Sequence, residues 1–576
     1  MSPHDKGIMM KRRTFLGRAA GSAALLLSES WDALAQMNND TARAPAGTLI
    51  LRGGELYDGT GAASRAADIA ISGDRIVAIE RNLRMAGAQI LDVRGLAIAP
   101  GFIDIHSHTD LSLFVDGLAQ SKVRQGVTTE VPGQDGDSAG PWTHEQARAA
   151  AERFRERYGV ALQVSDLASF FSALERASAS VNVASMVGAG TVRDYVIGEK
   201  DRPATAEELA RMQALVRAAL AAGACGFSSG LEYVPGAFAD RAELVALASV
   251  LKGSGLPYAT HMRNEDDELL AAVEEALAIG RFAGVPVQIS HLKAQGARNW
   301  FKAGAVIDMI EGARRDGIDV MFDRYPYIAY STGLSNLFPV WARDGGSTEL
   351  IRRLQDPAQQ PRIRSYVADK IAQLGSWDAV QISGTGSAAL SWARGKRLGA
   401  LAAERNKVPY DLLIEITLAD QDRTGMIGFG MDEATTERFL AHPLCMICSD
   451  GSALATAGPL SEGSPHPRSF GTFPRVLGHY VRGRKIMPLE TAIAKMTGMS
   501  AQRLQLRDRG EIKVGAFADV VAFDPDTVAD RATFEEPHAY PAGIAHVWVN
   551  GVQVIRDHEH TGARPGRVLK PSATTS

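Results

Sequence analysis

Cysteine is scarce in this chain, with only Cys225, Cys445 and Cys448 among 576 residues. So small and odd a complement excludes a disulfide framework. Cys445-Met-Ile-Cys448 has the spacing of a redox or metal pair, but it lies inside the apolar run Pro443 to Asp450. Residues i and i+3 of a strand face opposite sides, so both thiols read as buried and inert. An excess of one charge is missing too. Lys and Arg number 62 against 66 Asp and Glu, a net charge of -4 with pI ≈ 6.4. That excludes the basic footprint of a nucleic-acid binder. The N-terminal apolar stretch, Ala19 to Leu27, is too short to span a bilayer as a helix, so no stable membrane anchor is expected. What remains is ordinary globular composition, 45% hydrophobic and 22% charged, in a chain too long for one compact core.

The N-terminus reads Lys11-Arg12-Arg13-Thr14-Phe15-Leu16, then the short apolar stretch, then Ala33-Leu34-Ala35. Paired arginines, a weakly apolar region and a small-x-small site resemble a twin-arginine export signal over residues 1–35. A periplasmic location follows as an expectation, with the protein exported already folded. Residues 46–98 and 505–565 share short alternating strands and Gly-Asp or Asn-Gly turns, such as Asp68-Ile-Ala-Ile-Ser-Gly-Asp-Arg and Val547-Trp-Val-Asn-Gly-Val. That texture argues for antiparallel hairpins, and its presence at both ends suggests one small β-sandwich built from both. Between them, over residues 99–500, eight short apolar segments alternate with helical stretches. Such βα alternation predicts a (β/α)8 barrel of the TIM type. The connection after the seventh strand is much the longest, and residues 333–400 within it read as an inserted subdomain.

The opening barrel strand, Leu96 to His108, ends in His106-Ser-His108. Side chains two apart in a strand project to one face, so the two imidazoles converge and form half a metal site. An isolated H-x-H is weak, since two polar residues at a strand end would look the same. The other histidines strengthen it. His261 and His291 fall at or near the ends of the fifth and sixth predicted strands and Asp450 at the end of the eighth. In such barrels chemistry gathers at the C-terminal strand ends. Four imidazoles and a carboxylate on one rim suit one or two Zn²⁺-like ions.

The segments Pro100-Gly-Phe-Ile-Asp-Ile-His-Ser-His108, Gly230-Leu-Glu-Tyr-Val-Pro-Gly236, Thr260-His-Met-Arg-Asn264, Ser290-His-Leu-Lys293, Asp323-Arg-Tyr-Pro-Tyr327, Ser449-Asp-Gly451 and His466-Pro-Arg-Ser-Phe-Gly471 resemble the amidohydrolase superfamily, and within it the D-aminoacylase (N-acyl-D-amino-acid deacylase) family. The resemblance covers roughly residues 48–560 and implies a metal-dependent amide hydrolase acting on small N-acyl amino acids. It implies His261 and His291 as ligands of the catalytic metal, His106 and His108 at a second position, and Asp450 as the residue that carries the proton from water to the leaving amine. Lys293, Tyr325, Ser331 and Arg468 would hold the substrate carboxylate. One segment departs from the family. Where Gly-Asn-Cys-Gly is usual, with a ligating Cys, this chain has Gly133-Gln134-Asp135-Gly136. Asp135 would be a harder anionic ligand; the alternative is that it merely stabilises a Gly-rich turn.

Rival readings within the superfamily are a cyclic-amide hydrolase or a dipeptidase. Those commonly bridge two ions with a carboxylated lysine, and no lysine sits at the end of an early strand here. A metal-free scaffold is the reading from a different class. Acyl group, side chain and oligomeric state are not legible.

Overall fold

The computed structural model describes residues 44–572; the expected export signal, residues 1–35, lies outside them. Eight parallel strands form the barrel: β1 (Phe102–Asp104), β2 (Val127–Glu130), β3 (Asn182–Val183, resuming at Val187–Gly188), β4 (Phe227–Gly230), β5 (Tyr258–His261), β6 (Val287–Ile289), β7 (Val320–Arg324) and β8 (Cys445–Ile447). The first half of β3 pairs with β2 and the second with β4, so the interrupted strand joins two sheets into one wall. A parallel bridge from Ser107 to Gly451 joins the first strand to the last and closes the circle. Almost every strand residue is buried, as expected of parallel strands packed on both faces.

The outer helices follow from local signals. Helix α1 (Ala206–Ala222) begins at a capping box. Thr205 Oγ1 accepts the Glu208 backbone N–H at 3.2 Å and the Glu208 carboxylate accepts the Thr205 N–H at 2.9 Å. The helix stops at Gly223, whose φ of 115° few other residues adopt. Met212, Val216 and Ala219 form its inward stripe, and replacing Thr205 by Ala would cost about 1 kcal/mol.

Strands from both ends of the chain combine in one nine-stranded sheet. Ala97–Pro100 pairs on one side with Leu49–Leu56 and on the other with Val520–Phe523. The sheet curls until the Ile76 N–H reaches Ala516 O at 2.9 Å, enclosing Leu51, Ile69, Ile98, Val520 and Trp548. The first barrel strand thus leaves this sheet directly, with only Gly101 between.

The connection from β7 to β8 carries its own three-stranded antiparallel sheet, Tyr330–Gly333, Gly425–Gly428 and Val380–Gly384, with Gly425–Gly428 in the centre. The inserted unit therefore runs well past residue 400, because its middle strand is also its last. Its apolar residues, among them Leu350, Ile363, Val367 and Ile382, share one core with Ile105, Val131 and Met446 of the barrel interior. The helix α2 (Gln360–Leu374) of this unit reaches the barrel mouth.

Both cysteines of Cys445-x-x-Cys448 are buried. Cys445 packs with Phe322 and Phe439 outside the barrel and Cys448 with Ile103 and Met446 inside it. Opposite faces of one strand receive them, as the i, i+3 spacing requires.

Candidate metal centre

Asp135 is the hub of the barrel mouth. Its carboxylate lies 3.4 Å from His106 Nε2, 3.4 Å from His108 Nε2, 3.3 Å from His291 Nε2 and 3.8 Å from His261 Nδ1. Asp450 closes the group from β8, with Oδ1 at 3.0 Å from His108 Nε2 and 3.6 Å from His106 Nε2. Donors about 2.0–2.2 Å from a tetrahedral ion stand roughly 3.3–3.6 Å apart, which matches four of these six separations. His106, Asp135, His291 and Asp450 form one set able to hold an ion, and His261, Glu265 and His291 a second that shares His291.

The polar atoms test whether a cation fits. Among the described residues, both ring nitrogens of fully buried His106, and Asp135 Oδ1, have no hydrogen-bond partner. Buried polar atoms left so are rare and costly; a divalent cation satisfies all the inward-facing ones at once. The turn alternative for Asp135 also meets its test here. The Gly133–Gly136 backbone is held by Gly133 N–H to Asp110 at 3.1 Å, Gly136 N–H to Ser228 Oγ at 3.2 Å and Ser228 Oγ–H to Gly133 O at 2.6 Å. The Asp135 carboxylate takes no part in those bonds.

Three of the four imidazoles have a carboxylate behind them. His261 Nε2 lies 3.1 Å from Glu232, His291 Nδ1 lies 3.2 Å from Glu265, and His106 Nδ1 lies 3.5 Å from Asp323. Such outer carboxylates fix the tautomer and ring orientation and raise basicity. These neighbours leave Nδ1 of His261 and Nε2 of His106 and His291 toward the centre, with Lys293 Nζ also 2.7 Å from His291 Nδ1. Charges follow the same logic. Burial pushes the His261 imidazolium toward neutrality, but Glu265, Asp135 and Glu232 override it and raise its pKa to about 10. Burial acts likewise on His108, and Asp135 with Asp450 raises it to about 9. Asp135 titrates well below the usual carboxylate range; burial opposes this, but His106 and His291 outweigh it.

Three residues of the centre also carry backbone strain. Asp135, His291 and Asp450 have φ of 54°, 34° and 51°, in the left-handed region. His291 is held there by its N–H, which donates to Asp323 Oδ1 at 2.7 Å.

The four residues expected to hold a substrate carboxylate surround this centre in different ways. Lys293 Nζ faces the cavity but is paired with Glu265 at 2.7 Å. Arg468 donates to Asp450 Oδ2 at 2.6 Å, and Ser331 lines the same cavity. Tyr325 is fully buried and is not among the residues lining the cavity; Lys293 and Arg468 lie 5.9 Å and 5.1 Å from its ring centre, and its hydroxyl has no partner among the described residues. The cavity of about 480 Å³ joins these groups to Trp142, Tyr233, Glu232, Thr332 and Asn336, a size suited to a small ligand. Below the rim, buried Lys122 is committed to Asp104 at 2.7 Å and Ser449 Oγ at 2.9 Å, so it is not free to bridge ions.

Sequence reasoning missed Glu232, Glu265 and Asp323 as supports, although Glu232 and Asp323 lie inside quoted segments and Glu265 directly follows one. Lys370 carried no signal.

An amidohydrolase family model matches residues 89–356 and 458–555. A D-aminoacylase of Alcaligenes xylosoxydans xylosoxydans is 39% identical over 531 residues, 91% of this chain and 98% of that protein. The chain belongs to the amidohydrolase family. Its place is in the D-aminoacylase branch, for an N-acyl-D-glutamate deacylase of the same organism is 37% identical over 91% of this chain and 97% of its own. A crystal structure of N-acyl-D-glutamate deacylase from Bordetella bronchiseptica, complexed with zinc and a phosphonate mimic of the tetrahedral intermediate, superposes with TM-score 0.77 at 36% identity, covering 91% of this chain and 99% of that one. A dihydropyrimidinase from Brevibacillus agri, 15% identical with TM-score 0.53 over 92% and 100% of the two chains, shares the fold.

Proposed function

We infer that this amidohydrolase removes the acyl group from N-acyl-D-amino acids with the help of bound zinc. The observation that carries the reading is the convergence of four imidazoles with Asp135 and Asp450 at the C-terminal rim, in a chain of this family. Asp135, His261 and His291 would hold the catalytic ion, with His106 and His108 serving a second position beside it. A zinc ion there supplies a Lewis acid for the scissile carbonyl and lowers the pKa of its water toward 7.

The remaining steps belong to the protein. Asp450 accepts the water proton and returns it to the departing amine; its Oδ1 faces His106 and His108, while Oδ2 holds Arg468. The substrate carboxylate needs cations, and Lys293 and Arg468 are the two that line the cavity. Both are already paired with carboxylates, so the anionic substrate shares rather than captures them. Ser331 adds a hydroxyl beside Arg468, and buried Tyr325 fixes the spacing of the two cations. Beyond the centre the wall carries Asp137, Asp194 and Glu199. Those charges disfavour N-acyl-D-glutamate and N-acyl-D-aspartate relative to neutral or cationic side chains.

The test is a hydrolysis screen of N-acetyl-D- and N-acetyl-L-amino acids with zinc-loaded and metal-stripped enzyme. Turnover confined to D-substrates and to the loaded form is expected. Equal rates on both enantiomers, or undiminished rates after stripping, would refute it. Arg12-Arg13 before a weakly apolar stretch further supports export to the periplasm in folded form. Replacing both by lysine should leave the protein in the cytoplasm, and unchanged periplasmic recovery would contradict export by this route.

A further inference from the structure

We propose that Lys370, contributed by the inserted unit, is a positioning residue for the metal centre that acts on His261 through Glu232. The inference rests on His261 being a metal ligand.

Lys370 lies on α2, more than a hundred residues along the chain from the strand-end loops it meets. Its side chain is only 8% exposed. Nζ donates to Asp266 Oδ2 at 2.7 Å and lies 3.7 Å from Glu232 Oε1. Asp266 belongs to the loop after β5 and Glu232 to the loop after β4, so one ammonium ties together two loops that flank the metal centre.

The two oxygens of Glu232 have separate duties. Oε1 faces Lys370, whereas Oε2 lies 3.1 Å from His261 Nε2. His261 in turn directs Nδ1 into the centre, 3.8 Å from Asp135 and 2.9 Å from His291 Nε2. A carboxylate behind a ligating imidazole orients the ring and holds its outer N–H. A buried carboxylate facing only that imidazole would pay heavily for its charge, and an adjacent ammonium offsets the cost. Lys370 therefore anchors one oxygen of Glu232 and leaves the other aimed at His261. The inserted unit is thereby part of the metal site's support, not only a wall of the cavity.

The competing view is that Lys370 merely neutralises two buried acids, so that its loss lowers stability and leaves zinc binding alone. Zinc affinity of the metal-stripped full-length protein, measured by competition with a chelator, separates the two. Lys370→Met and Glu232→Ala should each weaken zinc binding roughly ten- to a hundredfold, the range for outer-shell partners. The double variant should lose no more than the larger single loss, because the effects run through one path. Lys370→Arg should stay within about threefold of the parent. If Lys370→Met does not fold, Lys370→Gln, which keeps a donor toward Asp266, takes its place in the cycle. Unchanged zinc affinity in the lysine variant, or losses that multiply in the double, would overturn the proposal. His261→Ala is measured alongside. Retained zinc in that variant would instead remove His261 from the ligand set, a failure distinct from that of Lys370.

Discussion

Replacing Asp135 by Asn removes one charge and little else. The side chain keeps its size, and Asn tolerates the left-handed backbone that Asp135 adopts, φ 54°. The turn itself loses nothing, since its bonds run through Asp110, Ser228 and the Gln134 side chain. What changes is the attraction between a carboxylate and whatever cation sits among four imidazoles 3.3–3.8 Å away. Two unit charges 4 Å apart interact by about 4 kcal/mol at an effective dielectric of 20. A zinc ion would be closer and doubly charged, whereas the Asn carbonyl or a water would restore part of the loss. Taking about 4 kcal/mol as the net figure gives roughly a thousandfold weaker zinc binding.

The size of that gap depends on pH. In the metal-free protein Asp135 also stabilises the imidazolium forms of His108 and His261, with pKa values of about 9 and 10. Those protons compete with zinc in the parent and much less in Asp135→Asn. The difference between the two proteins should therefore widen from pH 7 to pH 10. Chelator competition at several pH values, with melting temperature as a control, measures it. Asp135→Cys should restore tight zinc binding through a thiolate, with a weaker response to Mn²⁺. Zinc affinity of Asp135→Asn within tenfold of the parent at pH 9 would remove Asp135 from the ligand set.

His261→Ala or His291→Ala should abolish both turnover and bound zinc, whereas Asp450→Asn should abolish turnover with zinc retained; an active Asp450→Asn enzyme would contradict its role as proton carrier. Stability of the metal-stripped protein should fall as pH rises. The pKa values of His108 and His261 lie above the unfolded value of about 6.5, so their contribution is complete below that value and is lost progressively from there until the pH has risen through about 9 and about 10. Zinc binding needs neutral imidazoles and tightens over the same window. Thermal melts from pH 6 to pH 10, with and without zinc, should therefore diverge; parallel curves would show that the imidazoles do not carry the linked protons.

The site was legible where it is built from strand ends. A strand fixes which side its residues face, and the barrel fixes which end is chemical, so His106, His108, His261, His291 and Asp450 could be brought together without coordinates. The supports were not legible, because their partners are set by which loops meet. Glu232 meets Lys370 across 138 positions of sequence, and nothing local at either residue announces the other. The inserted unit was misjudged in extent for a related reason. No local signal marks its far boundary, and only the pairing of Gly425–Gly428 with Tyr330–Gly333 and Val380–Gly384 places that strand in the unit.

Three of the residues at the centre share a property that no spacing argument reveals. Asp135, His291 and Asp450 all hold positive φ, which costs a non-glycine residue on the order of 1–2 kcal/mol each. Asp bears this more easily than His, and His291 is the one whose N–H is tied down by a buried carboxylate, Asp323. That same carboxylate lies 3.5 Å from His106 Nδ1. One group at the end of β7 therefore holds a strained backbone on β6 and faces the ring of a histidine following β1. The strain is stored where three strand ends must turn inward together, and the bond that sustains it also orients a neighbouring ligand. Fold and site are therefore coupled at Asp323.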